Sequence, residues 1–67
     1  MIENMYSIST QEAGWERECE SLAKQRRAFA LRDVAEDLQR GFCLSICTKY
    51  QMQLNWDVNT AIFTRLN

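Results

Sequence analysis

The chain has 67 residues, of which 46% are hydrophobic and 25% charged, and its formal net charge is −1. This length and mixture are typical of one small globular domain spanning residues 1–67, not of a disordered or multidomain chain. No apolar run approaches the roughly 20 residues that a membrane helix requires. Glu3 and Asn4 stand where a signal peptide would carry lysines and an apolar core, so we expect no targeting segment and no membrane insertion.

The residues offer little for catalysis. The chain has no His, which removes the commonest general base and the commonest metal ligand, and its two glycines form no phosphate-binding loop. Acidic pairs such as Glu16 with Glu20 are far more often solvated helix-surface charges than acid–base pairs. We therefore expect a protein that is not an enzyme and that uses no cofactor.

Three cysteines make at most one internal disulfide. Cys43 and Cys47 are one helical turn apart, which is poor geometry for a disulfide within a helix. We expect free, buried thiols in a reducing cytoplasm. Two alternatives stay open: a zinc site, which would lack a fourth ligand, and a redox sensor at an exposed Cys19 or Cys47.

The N-terminal part of the chain predicts a helix that begins at Ser9. Ser9 and Glu12 have the spacing of a capping box, and we expect residues 1–8 before it to be frayed. Beyond the cap, Trp15, Cys19 and Leu22 recur at helical spacing on one face. This stripe predicts the buried side of a first helix.

A second apolar stripe lies roughly 150° around the helix axis from the first. It runs through positions 28, 31, 34, 35, 38 and 42. Either the chain breaks near residues 25–27, or one long helix over residues 15–38 is covered on both faces. We favour a kink or short turn, and the sequence predicts a helix end at Gly41, flanked by Arg40 and Phe42.

Apolar residues recur at spacings of three and four over residues 42–54, which predicts a third helix. A strand at residues 44–48 is the competing interpretation, and it lacks a partner strand. Asn55 or Asp57 can cap a last short helix that carries Ala61, Ile62 and Leu66 on one side. The predicted fold is all-α, a small single-domain bundle of three or four short helices.

Residues 23–32 contain four cations and no acid, and the polar positions of the predicted third helix after Gly41 also lack acids. Residues 31–36 (Leu-Arg-Asp-Val-Ala-Glu) resemble the first helix of the helix-turn-helix in lac-repressor-type regulators. That resemblance implies that a helix starting at Leu44 enters the major groove. The candidate nucleic-acid contacts are Lys24, Arg26, Arg27, Arg32, Ser45, Thr48, Lys49, Gln51 and Gln53. The competing interpretation is a set of solvated helix surfaces.

The chain has more large aromatic residues than a core of this size can bury, so we expect some of them to be exposed at a contact surface. Phe29 falls off the second stripe, Trp56 follows a polar break, and Phe63 lies near the C-terminus. These three are the candidate partner-binding residues. A homodimer is compatible with this, with Phe42, Ile46 and Tyr50 at a twofold contact.

From residues 5–15 (Met-Tyr-Ser-Ile-Ser-Thr-Gln-Glu-Ala-Gly-Trp) onward, the chain resembles the small open-reading-frame proteins of the exo–xis region of phage lambda and related lambdoid phages. Counted from Met5 it has 63 residues, as those proteins do, and residues 1–4 then represent an upstream start or an addition. The group has no site motif from which residue roles can be transferred.

The resemblance implies an early phage protein in the cytoplasm of an enterobacterial host, which tunes the choice between lysis and lysogeny. A homeodomain-like, DNA-binding three-helix fold has been suggested for this group. We expect regulation through binding of a host or phage protein. The alternative is a homeodomain-like or helix-turn-helix-like DNA-binding regulator.

Overall fold

The structure is a computed structural model that describes residues 5–66, and these residues form four strands and two helices. In chain order the elements are β1 (Tyr6–Ser9), α1 (Trp15–Lys24), β2 (Phe29–Arg32), α2 (Asp37–Tyr50), β3 (Met52–Asp57) and β4 (Thr60–Arg65). The strands make one sheet in the order β1-β2-β4-β3. The fold is therefore mixed α/β, and the predicted all-α bundle of three or four helices is wrong.

The strand directions give the sheet two distinct ends. β1 and β2 are parallel, and β4 is antiparallel to both β2 and β3, so β1, β2 and β3 all run the same way. Each helix follows one of these strands and returns the chain to the end of the sheet where the next strand begins. Consequently the C-termini of both helices and the C-terminus of β4 lie at one end, and the helix N-termini and the β3–β4 turn lie at the other.

One face of the sheet and both helices enclose the core. Phe29 of β2 lies opposite Phe63 of β4, and their rings stack with centroids 4.6 Å apart; both side chains have no exposed surface. Leu31 of β2 points to the same face, because residues two apart along a strand share a face. The helices close this face with buried residues such as Cys19 and Ile46.

The other face of the sheet is not covered by a helix. Its residues alternate with the buried ones along each strand, and they include Ser7, Arg32, Gln53 and Asn55, all exposed. Ile62, near the centre of this face, is only partly exposed. Among residues 5–66, neither helix is long and apolar enough to cross a bilayer.

The second apolar stripe does not form one helix, because position 31 lies in β2, positions 34 and 35 lie in the loop after it, and positions 38 and 42 lie in α2. In β2, Phe29 and Leu31 are buried and alternate with Ala30 and Arg32, which fits a period of two. Leu38, which the helical interpretation placed in the core, is 85% exposed at the start of α2. The helix prediction failed here because β2 is stabilised by β1 and β4, which are distant in sequence. The predicted break near residues 25–27 is confirmed, since α1 ends at Lys24.

Gly41 does not end a helix, because it lies within α2. That helix ends at Tyr50, and Gln51 takes the left-handed conformation with a φ of 54°. The predicted third helix over residues 42–54 therefore matches α2 only as far as Tyr50, and its last part, with Leu54, belongs to β3. The predicted final short helix is β4.

The N-terminal prediction also requires correction. Ser9 ends β1, and its Oγ accepts a hydrogen bond from the N–H of Gln11 at 3.3 Å, so its side chain stabilises a turn before the helix. α1 begins later, at Trp15, after Gly14 with a φ of 84°. Residues 6–8, predicted to be frayed, are part of β1. Of the rest of that prediction, Met5 precedes the strand and residues 1–4 lie outside the described residues.

Candidate functional site

The turn between α1 and β2 ends the first helix without a glycine. The N–H of Arg27 donates to the carbonyl oxygen of Leu22 at 3.0 Å, and the N–H of Arg26 donates to that of Ala23 at 2.9 Å. This pair of bonds is the Schellman motif, in which the residue after the helix takes the left-handed conformation. Arg26 takes it here, with a φ of 56°. The motif leaves Arg26 and Arg27 exposed at the end of the sheet.

These arginines line a cleft together with the end of β4. The cleft has a volume of about 440 Å³. Its walls are Gln25, Arg26, Arg27 and Ala28 on one side and Thr64 and Arg65 on the other. The register of β2 with β4 explains the arrangement: because Phe29 lies opposite Phe63, the residues just before Phe29 are beside those just after Phe63. Three arginines thus line one opening.

The positive charge of this cleft is not neutralised by the part of the chain that the structure describes. Within residues 5–66 the one ion pair joins Lys49 Nζ to Glu20 Oε2 at 3.6 Å, so the three cleft arginines have no acidic partner there. Glu20 also accepts hydrogen bonds from the Tyr50 hydroxyl at 2.9 Å. The guanidinium of Arg27 lies 4.9 Å from the centroid of the Tyr6 ring, which restrains its position.

Charges of opposite sign occupy opposite ends of the domain. We call the end with the helix C-termini the basic end, and the end with the helix N-termini the acidic end. The basic end carries five of the eight cations of the chain: Lys24, Arg26, Arg27, Lys49 and Arg65. The acidic end carries most of the described acids, among them Glu12, Asp33, Glu36, Asp37 and Asp57, together with two cations, Arg32 and Arg40. A formal net charge of −1 therefore hides a strongly polarised molecule.

Helix dipoles account for part of this polarity. Lys24 and Lys49 lie in the last turns of α1 and α2, where a cation stabilises a helix. Arg26 and Arg27 directly follow α1 and so also lie near its negative end, whereas Arg65 belongs to β4 and the helix dipole does not account for it. Arg26 even occupies a backbone conformation that costs an L-residue about 1–2 kcal/mol. These arginines are therefore the strongest candidates for a functional role.

The structure brings together some of the predicted nucleic-acid contacts and separates others. Lys24, Arg26, Arg27, Lys49 and Gln51 all lie at the basic end.

The other predicted contacts lie elsewhere. Arg32 is at the far end of β2, Ser45 and Thr48 are on the exposed side of α2, and Gln53 is on the open face of the sheet. Leu31 lies in β2, so the helix-turn-helix that residues 31–36 suggested is not formed, and the homeodomain-like three-helix arrangement is wrong as well. Arg65 was missed, because a single arginine near the C-terminus has no local pattern that marks it.

Two of the three predicted partner-binding residues are part of the core. Phe29 and Phe63 have no exposed surface, so a partner cannot reach them while the domain is folded. Trp56 is 45% exposed, and the guanidinium of Arg40 lies 5.6 Å from its ring centroid.

The predicted twofold contact is not available either. Ile46 is only 2% exposed, and Phe42 and Tyr50 pack against the core while remaining partly exposed. Phe42 also meets Trp15 of α1 edge-on, with ring centroids 4.9 Å apart. These side chains hold α2 onto the rest of the domain.

Two of the three cysteines are shielded from solvent in this fold. All three are free, as predicted, and Cys19 and Cys43 are fully buried. Burial, with smaller contributions from Cys43 and neighbouring glutamates, raises the pKa of the Cys19 thiol to about 12. Burial raises the pKa of Cys43 to about 11 and also raises that of Cys47. The described residues contain no cluster of three or more metal-ligand side chains.

Comparisons with known proteins supply no relative for this chain. No protein-family model matches it, and neither the curated proteins nor the solved structures contain a match. The geometry of the described residues is therefore the basis on which a function is assigned.

Proposed function

We propose that this domain is a non-enzymatic regulatory module that binds the phosphate backbone of duplex DNA through its basic end. The observation that carries the proposal is the cleft bordered by Arg26, Arg27 and Arg65, whose guanidinium groups have no acidic partner among the described residues. A guanidinium group presents a planar set of donors that matches two phosphate oxygens, which makes arginine well suited to phosphate recognition.

The net charge of the chain is negative, but its acids and cations are concentrated at opposite ends, so the net charge does not oppose DNA binding at the basic end. The six residues of β3 separate the two ends by about 20 Å. The Debye length is about 8 Å at physiological ionic strength, so the acids at the far end are largely screened from a ligand at the basic end. A DNA backbone at the basic end therefore experiences mainly the local positive charge.

The available cations set the strength and salt dependence of the contact. Lys24 and the three cleft arginines can neutralise about four phosphates. The slope of log K against log salt should therefore be no steeper than about −3.6. No helix is placed here for the major groove, so we expect non-specific affinity, with a Kd of about 10⁻⁴ to 10⁻⁶ M at physiological salt.

Binding of a host or phage protein through exposed aromatic residues is less well supported. It relied on three aromatic residues, and Phe29 and Phe63 stack on each other inside the core. Trp56 alone stays accessible, and it lies at the acidic end of β3. The resemblance to the exo–xis proteins implies a setting for DNA binding, namely tuning of the choice between lysis and lysogeny in a lambdoid phage.

The test is fluorescence anisotropy of labelled duplexes, measured at several salt concentrations, on two variants that change the charge equally. Arg65→Glu reverses a cation at the cleft, and Arg17→Glu reverses an exposed cation on α1 outside it. We expect Arg65→Glu to weaken binding about tenfold, which corresponds to about 1.4 kcal/mol. Its salt slope should become less negative by about 1. Arg17→Glu should change the affinity less than about twofold.

Two results would contradict the proposal. One is the absence of binding by the wild-type chain at low salt, where a phosphate contact is strongest. The other is an equal loss of affinity in both variants, which would mean that net charge alone, and not the cleft, determines binding. Circular dichroism of both variants establishes that the fold is retained.

A further inference from the structure

β3 is an edge strand without the features that usually protect an edge. It pairs with β4 on one side, and no described strand pairs with it on the other. Its register with β4 is unbroken from Met52 to Asp57, so no bulge twists it away, and its six residues include no Lys or Pro. Natural proteins usually shield such an edge, because alternate residues offer unpaired N–H and C=O groups to another strand.

Apolar side chains accompany this edge on the helix-covered face of the sheet. Trp56 is 45% exposed, and Leu54 is partly exposed on the same face of β3. Leu44 is 61% exposed and lies one turn after Arg40 on the side of α2 that meets Trp56. The unpaired backbone groups of β3 are therefore bordered by apolar surface that a partner strand would cover.

We propose that β3 pairs antiparallel with β3 of a second copy of this chain, about a twofold axis at Asn55. The two sheets then join into one sheet of eight strands. In this register Asn55 lies opposite its own counterpart, Leu54 lies opposite Trp56 of the second copy, and Gln53 lies opposite Asp57. Directly opposed residues of an antiparallel pair share a face, so the apolar residues meet on the helix side and the polar residues on the open side.

Charge complementarity is the reason that the occupant is a second copy. An antiparallel arrangement reverses the direction of the partner, so the acidic end of each copy lies beside the basic end of the other. Asp57 is the one charged residue of β3, and in this register it lies opposite Gln53, close to the basic end of the second copy. No like charges are opposed along the paired strands. The interaction is independent of the cleft at the α1–β2 turn and goes beyond the proposed function.

The experiment measures the mass of the full chain by sedimentation equilibrium over a range of concentrations, without DNA. The monomer mass is 7.9 kDa, and we expect the wild-type chain to reach twice that value as concentration rises. Asn55→Lys and Asn55→Asp are each tested alone and then mixed in equal amounts. Asn55 is exposed on the open face, so neither change touches the core. Ser7→Lys, on the exposed side of the opposite edge strand β1, is the matched control.

Each Asn55 variant alone should show a dimer dissociation constant raised tenfold or more, because like charges face each other across the axis. The equal mixture should restore association, since opposite charges then meet, and Ser7→Lys should associate as the wild type does. A wild-type chain that stays at 7.9 kDa at every concentration overturns the proposal. So does an Asn55→Lys chain that dimerises with the dissociation constant of the wild type, or an equal mixture in which association does not recover.

Discussion

Arg26→Gly should make this domain more stable and a weaker DNA binder at once. Arg26 holds the left-handed position of the Schellman motif with a φ of 56°, a conformation that costs an L-residue about 1–2 kcal/mol and glycine almost nothing. Glycine also increases the entropy of the unfolded chain, which removes about 0.5–1 kcal/mol of the gain. The net expectation is an increase of about 0.5–1 kcal/mol in the free energy of unfolding.

Urea titration followed by tryptophan fluorescence measures this gain. In a domain of this size, 1 kcal/mol corresponds to about 4–8 °C in Tm, so a thermal melt provides an independent measurement. The same variant loses one of about four phosphate contacts. Its slope of log K against log salt should therefore become less negative by about 0.9.

Val58→Gly is the matched control for the backbone. Val58 also has a positive φ, 57°, and it is 91% exposed in the β3–β4 turn at the acidic end. It should gain a similar stability, because a β-branched residue is poorly suited to this conformation, and it should leave DNA binding unchanged. If Arg26→Gly lowers the stability, the strain argument is wrong. If it raises the stability while affinity and salt slope stay at wild-type values, the cleft is not the binding site.

Three further predictions concern the core and the thiols. Phe63→Ala should lower the free energy of unfolding by about 3–5 kcal/mol, because it removes one ring of the stacked pair in the core. Circular dichroism should then show a largely unfolded chain at 25 °C, and a native spectrum would contradict this prediction. Stability should fall above about pH 9, because thiols of the unfolded chain ionise there while those of Cys19 and Cys43 stay protonated up to about pH 12 and 11. The free energy of unfolding should fall by about 1.4 kcal/mol per pH unit for each thiol, and the urea midpoints of unfolding at pH 8 and pH 10 measure this loss. Cys19→Ala should reduce the difference between the two midpoints. Equal midpoints for the wild-type chain would refute the prediction. A thiol reagent should modify Cys47 first, because it is the one cysteine that is partly exposed. Mass spectrometry of the labelled native protein identifies the modified residue, and labelling of Cys19 at the same rate would refute the prediction.

Elements whose sequence pattern is local were predicted correctly. The apolar stripe of Trp15, Cys19 and Leu22 correctly predicted the buried side of α1, because residues three and four apart meet on a helix without help from the rest of the chain. The break after Lys24, the free cysteines and the greater part of α2 were also predictable in this way. So was the basic run at the end of α1, which supplies two arginines of the cleft.

The positions of the turns and strands depend on contacts between distant parts of the chain. Turns are usually marked by Gly or Pro, and within residues 5–66 four positions with positive φ carry other residues: Arg26, Asp33, Gln51 and Val58. The chain has no Pro, and one of its two glycines, Gly41, lies within a helix and so gave a false helix end.

The strands depend on partners that local periodicity cannot detect. Phe29 fits neither face of the predicted second helix, and it is buried because Phe63, 34 positions later in the sequence, lies opposite it in the sheet. The same pairing brings Arg65 beside Arg26 and Arg27 and so completes the cleft. A helix is closed by hydrogen bonds to near neighbours in the chain, whereas a strand is stabilised by hydrogen bonds to distant segments. The sequence therefore predicted two of the three arginines of the candidate site, and the pairing of β2 with β4 determines that Arg65 lies beside them.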